Sequence, residues 1–178
     1  RRARARAVAR PIPALAPEMR CAVLVGDLQT TRDAERLGAT GAPVTQINTG
    51  RGCHLSAGEV AAGLDTLDLD ALDLLFIENV GNMVCPAAFD LGEHVRAVLL
   101  STPEGDDKVA KYPTLFQGAG VVLLTKTDLI DVLGFDRAQV RADLAKVNSA
   151  VPLIEYHWAD EAALAAWLGW LRGLTIGD

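Results

Sequence analysis

From residue 21 to residue 156, short and nearly continuous apolar runs alternate with stretches whose apolar residues recur every three or four positions. The runs at 21–26, 44–47, 72–78, 95–100, 121–124 and 153–156 have strand length, and their near-continuous apolar content is that of strands covered on both faces. Between them, Ser56 followed three residues later by Glu59 forms a capping box that predicts a helix to about residue 67. Asp136 is expected to cap a helix running to about residue 147. Residues 160–171 read as a closing amphipathic helix, with Leu164, Trp167, Leu168 and Leu171 at three- and four-residue steps, so its tryptophan belongs to the core. The alternation predicts an α/β fold: a mostly parallel sheet with helices on both faces. Ligands of such a sheet sit beyond the carboxyl ends of the strands. Asp27, residues 48–54, residues 78–85 and residues 125–128 all fall there.

Composition narrows this picture. A chain of 178 residues, half of them hydrophobic, can bury one sizeable core, and its length argues for a single domain. Its apolar runs are far shorter than the roughly 18 residues of a membrane span, so a soluble protein with no membrane partner is expected. Cys21, Cys53 and Cys85 are too few for a disulfide framework and read as reduced thiols in a cytoplasmic protein. Net charge is -6, yet residues 1–20 contain six Arg and one Glu, so the body is distinctly acidic. An acidic body argues against broad nucleic-acid binding and fits work on metal ions or proteins. The Arg/Ala-rich start, residues 1–20, is expected to lie outside a domain spanning 21–178, as a basic arm or a transit sequence.

Three constellations carry chemistry. Thr125-Lys126-Thr127-Asp128 follows an apolar strand. There the Asp128 carboxylate could accept hydrogen bonds from the ring N–H and exocyclic amine of guanine, while the aliphatic stem of Lys126 lies over the base. Glu78-Asn79-Val80-Gly81 ends another strand. A carboxylate at Glu78 can hold magnesium through water, and the Gly81 amide can approach a terminal phosphate because no side chain intervenes. Asp27 is a second acid for magnesium or for orienting an attacking water. A surface strand end and a helix cap are the ordinary alternatives for these polar groups. Cys53 and His54, with Cys85, form the metal candidate, since thiolate and imidazole suit zinc and nickel. Three ligands leave a position open, as a carrier that must also release its metal requires. Cys21, inside a strand, reads as a small buried hydrophobe. His94 reads as a helix or turn residue, and His157 receives no role.

The blocks Gly26 to Arg36, Ile47 to Leu55, Phe76 to Pro86, Asp107-Lys108 with Lys111-Tyr112-Pro113, and Thr125 to Asp128 together resemble successive blocks of HypB, the nickel-incorporation GTPase of hydrogenase maturation. That resemblance implies a P-loop NTPase fold that dimerises on GTP. It implies metal-binding residues at Cys53, His54 and Cys85, guanine readers at Lys126 and Asp128, and switch-region acids at Asp27 and Glu78. It also implies GTP, Mg2+ and Ni2+ or Zn2+ as ligands, with a second copy, a HypA-type nickel chaperone and the hydrogenase large-subunit precursor as partners. The sequence departs from the family in three ways. No G-x-x-x-x-G-K-[ST] loop, nor the strand before it, precedes Cys21, and loss of that central strand should leave two unpaired sheet edges. The Cys-rich nickel motif at the N-terminus of some members is missing too. Finally, Glu155-Tyr156-His157-Trp158 stands where the family carries a Ser-Ala segment near the base. Besides a GTP-regulated nickel carrier, two alternatives follow: a metal-binding and dimerisation module without GTP turnover, and a urease-type nickel accessory GTPase.

Overall fold

The computed structural model describes residues 2–27, 37–50, 52–81 and 83–174, without the side chains of Arg2, Ala3 and Asp27. Six described strands form two parallel sheets of three rather than one sheet, and the chain divides into two compact units, residues 1–93 and residues 94–178.

In the first unit β1 (Cys21–Asp27) lies between β2 (Val44–Asn48) and β3 (Leu74–Glu78). Its register pairs Asp27 with Asn48 and Val25 with Glu78, so the polar residues that end three strands come to one edge of the sheet. Ala22, Val23 and Leu24 are fully buried. Leu24 meets Leu55 and Val60 in a core flanked by Ile47, Leu64, Leu75 and Ile77. The expected helix is α3 (Ala57–Leu64), shorter at its end than the pattern suggested, and its capping box is present: Ser56 Oγ accepts from Glu59 N, and the Glu59 carboxylate accepts from Ser56 N at 2.8 Å. β3 starts two residues later than expected because residues 69–71 form a 3-10 turn and Asp73 is held by Arg20. The guanidinium of Arg20 grips both oxygens of Asp73 at 3.0 Å, Arg20 N donates to the same carboxylate, and Asp73 N donates to Arg20 O, which together tie the starts of β1 and β3.

Residues 2–15, expected to lie outside the domain, form α1 (Arg2–Ala9) and α2 (Pro11–Leu15) within the first unit. The helix pair buries Ala5, Ala7, Ile12 and Leu15, and α1 packs on β3. Alternation of Arg with Ala, which looked compositional, here buries Ala5 and Ala7 while Arg6 between them is exposed.

In the second unit β5 (Val121–Thr125), buried throughout, is flanked by β4 (Ala97–Ser101) and β6 (Leu153–Tyr156). The Asn148 amide donates to the carbonyls of Phe116 and Gln117 and, at 2.9 Å, of Ala119, which fixes the turn into β5. Thr102 Oγ1 donates to Thr125 O at 2.9 Å and closes the far end. The sheet carries α4 (Lys108–Lys111), α5 (Pro113–Gln117), α6 (Ile130–Leu133), α7 (Arg137–Val147) and α8 (Glu161–Arg172). Asp136 caps α7 as expected, and Asp160 caps α8. In α8, Leu164, Trp167, Leu168 and Leu171 are buried, with Trp170 stacked on Trp167 at 5.2 Å. His94 lies in a bend before β4 rather than in a helix.

Candidate functional site

The loop that leaves β2 is built from its own backbone. Asn48 Oδ1 accepts from Gly50 N at 2.9 Å, Gly50 takes a left-handed conformation (φ 57°), and Gly52 N donates to Thr49 O at 2.8 Å. This turn delivers Cys53 and His54 to the sheet edge, where Leu55 is fully buried and anchors the loop. After β3, residues 85–88 make a single 3-10 turn that presents Cys85.

The ligand atoms of Cys53, His54 and Cys85 all lie within 4.8 Å of one another. Cys53 Sγ is 3.5 Å from His54 Nδ1, and the His54 ring stacks on Phe89 with centroids 3.9 Å apart and planes 12° apart. None of the three cysteines is in a disulfide. The neighbouring Cys85 thiol, through hydrogen bonding, and then desolvation push the Cys53 thiol up from its ordinary range. Two sulfurs and one imidazole on an accessible edge are a donor set for a borderline divalent ion such as nickel or zinc. Cys21, by contrast, is buried in β1 with its thiol raised by burial, as expected of a small hydrophobe.

Beside this group lies the acid-x-x-glycine segment of the first unit. Glu78 is 9% exposed, and its Oε1 lies 4.0 Å from Arg4 Nε. Arg4 Nη1 also donates to Asn79 O at 3.1 Å. The side-chain oxygen of Asn79 accepts from Leu55 N at 2.9 Å and from Val80 N at 2.8 Å. A single amide oxygen thus holds the loop bearing Cys53 and His54 against the segment bearing Gly81. Asp27, the other candidate acid, ends β1, but its side chain lies outside the described residues, as does most of the block 26–36.

The second unit carries the candidate base readers at the carboxyl end of β5. Lys126 is left-handed (φ 57°, ψ 44°), and Thr127–Leu129 form a 3-10 turn. Asp128 Oδ1 is 3.6 Å from His157 Nε2, and His157 lies against Trp158, which is half exposed. Sequence reasoning gave no role to Arg4, Asn79, Phe89 or His157. Asn79 alone had a signal, as a short amide directly after the strand-end acid; the others meet their partners through long-range packing that spacing does not encode.

A family description, the CobW/HypB/UreG nucleotide-binding domain, matches residues 8–155. The chain is 47% identical over 152 residues to the hydrogenase maturation factor HypB of Escherichia coli strain K12, a match covering 85% of this chain and 52% of that protein. It is 50% identical over 135 residues to the hydrogenase/urease maturation factor HypB of Helicobacter hepaticus, covering 74% and 56%. The chain spans about half the length of these curated relatives. The crystal structure of HypB from Helicobacter pylori in complex with nickel superposes with a TM-score of 0.87 at 39% identity, over 94% of this chain and 81% of that one.

Proposed function

This chain belongs to the CobW/HypB/UreG family, and from that premise we propose that it is a hydrogenase maturation factor that carries nickel on Cys53, His54 and Cys85 under the control of a guanine nucleotide. The observation that carries the reading is the convergence of two thiols and one imidazole within 4.8 Å from two separate loops, in a chain similar to a HypB crystallised with nickel. With three protein ligands the metal keeps an exchangeable position, which suits transfer rather than storage. Zinc satisfies the same donors and is the competing ion.

Nucleotide control rests on Lys126 and Asp128 as guanine readers, and on Glu78, Gly81 and Asp27 as the phosphate- and magnesium-facing group. Magnesium there would neutralise phosphate charge, and Glu78 and Asp27 are the acids to hold it. Partners on this reading are a second copy of the chain, a HypA-type nickel chaperone and the hydrogenase large-subunit precursor, all in the cytoplasm. Among the described residues no helix is long and apolar enough to cross a membrane. A second reading, service to urease as well, is supported by the Helicobacter hepaticus relative, whose name joins both enzymes. A third reading is metal binding without GTP turnover. Titration with fluorescent GDP and magnesium separates it from the first.

The direct test is nickel titration of the purified chain against a chelator, followed through the thiolate-to-nickel absorption band. One ion per chain is expected, and replacing Cys53, His54 or Cys85 with Ala should weaken binding by at least about 100-fold, more than losing an outer-shell partner costs. Cys21→Ala should leave affinity unchanged. Full nickel affinity in Cys85→Ala would sink the proposal.

A further inference from the structure

The carboxyl end of β3 holds a cation of its own. Arg4 reaches from α1 to Glu78, to the carbonyl of Asn79 and to Gly81. The fit at Gly81 is close: a Cβ built there would lie 2.8 Å from Arg4 Cζ and 2.9 Å from Arg4 Nη1, closer than real Cβ contacts come. The guanidinium therefore uses the missing side chain of Gly81 as part of its seat. Its side chain is 25% exposed and that of Glu78 8%, so the pair sits largely out of water. There a carboxylate without a counter-charge would be costly. The anchor is also firm, since α1 packs on β3 and its Ala5 and Ala7 are buried.

We infer that Glu78, Asn79 and Gly81 form a guanidinium-binding site, filled by the chain's own Arg4, and that a hard divalent cation at Glu78 is held off until Arg4 leaves. The charge logic is direct. Glu78 supplies one buried negative charge, which Arg4 already balances, and a divalent ion beside the guanidinium would add uncompensated positive charge in a poorly solvated place. The inference rests on the assignment of Glu78 and Gly81 to the magnesium- and phosphate-facing group. It goes beyond that assignment by making the N-terminal helix an occupant of the same corner.

The test uses Mn2+ as a paramagnetic stand-in for magnesium, titrated into the 178-residue chain with its Cys/His donors saturated by zinc, and read by electron paramagnetic resonance of free Mn2+. Arg4→Met should bind Mn2+ at least about tenfold more tightly than the parent chain, and Glu78→Gln added to it should abolish the gain. Equal affinity in parent and Arg4→Met overturns the exclusion. So does a gain that survives Glu78→Gln, or a lack of Mn2+ binding by both proteins, which would also remove the magnesium assignment. The seat itself is read separately by nitrogen-15 NMR of arginine side chains. One Nε–H signal should be protected from exchange at neutral pH in the parent, disappear in Arg4→Lys, and lose protection in Glu78→Gln. If no such protected signal exists, Arg4 has no guanidinium site, whatever Mn2+ does.

Discussion

Lys126 is the one residue other than glycine, among those described, with a positive φ. A left-handed lysine costs about 1 kcal/mol or more, so its retention has to be explained by what the side chain does. On the proposed reading the stem covers a guanine base. Lys126→Gly should then leave the thermal midpoint equal or slightly higher while weakening fluorescent-GDP binding; unchanged binding would remove the lysine from the site. Phe89 offers a second residue-scale test, because its stack on His54 orients the imidazole. Aromatic stacking contributes about 0.5–1.5 kcal/mol, so Phe89→Ala should lower nickel affinity by roughly 2- to 13-fold without abolishing it. Asp73 gives a pH test. The hydrogen bonds and charge of Arg20 hold its carboxyl at about 2, below the ordinary carboxylate range. A depressed folded value means the contact supports folding above the unfolded value near 4 and is lost as pH falls through about 2. Carboxyl NMR should place the Asp73 midpoint near 2 in the parent chain and back near 4 in Arg20→Gln.

At the scale of elements, the metal loop depends on β1 as much as on its own ligands. A Cβ at Gly26 would lie 2.6–2.9 Å from three carbons of Leu55, the residue after His54. Gly26→Ala should therefore push the loop outward, costing about 1–3 kcal/mol in stability, and should weaken nickel binding although it alters no ligand. Urea unfolding and nickel titration on the same samples check both halves. Ser56→Ala, which removes the cap of α3, should cost about 1 kcal/mol and spare the metal site. The capping box of α3, the Asp136 cap of α7 and the three- and four-residue steps of α8 made these helices legible in the sequence, because those signals are local. The edges of β3 and β4 were less legible. Apolar content extends past each ladder: Leu72 is taken by a turn, and the Val95 side chain lies against Gly120 before pairing starts at Ala97 with Val121.

For the whole molecule, the strand count was legible but its division into two sheets was not, because hydrogen bonding between strands is a long-range property. The convergence of Cys53, His54 and Cys85 was readable because parallel strands bring successive loops to one edge. The seating of α1 was not, since Arg/Ala alternation has no distinctive apolar stripe. Central strands should report this architecture. Amides of β1 and β5 are expected to exchange most slowly with deuterium, and those of β3 and β4, with one hydrogen-bonded neighbour each, more quickly. Equal protection across all strands would contradict the two-sheet arrangement. The close pair of thiols has a practical corollary. Cys53 and Cys85 lie near enough that dioxygen, taking two electrons and two protons to become hydrogen peroxide, would join them after modest loop movement and withdraw two of the three metal donors. The nickel stoichiometry of any preparation is therefore also a record of its exposure to air.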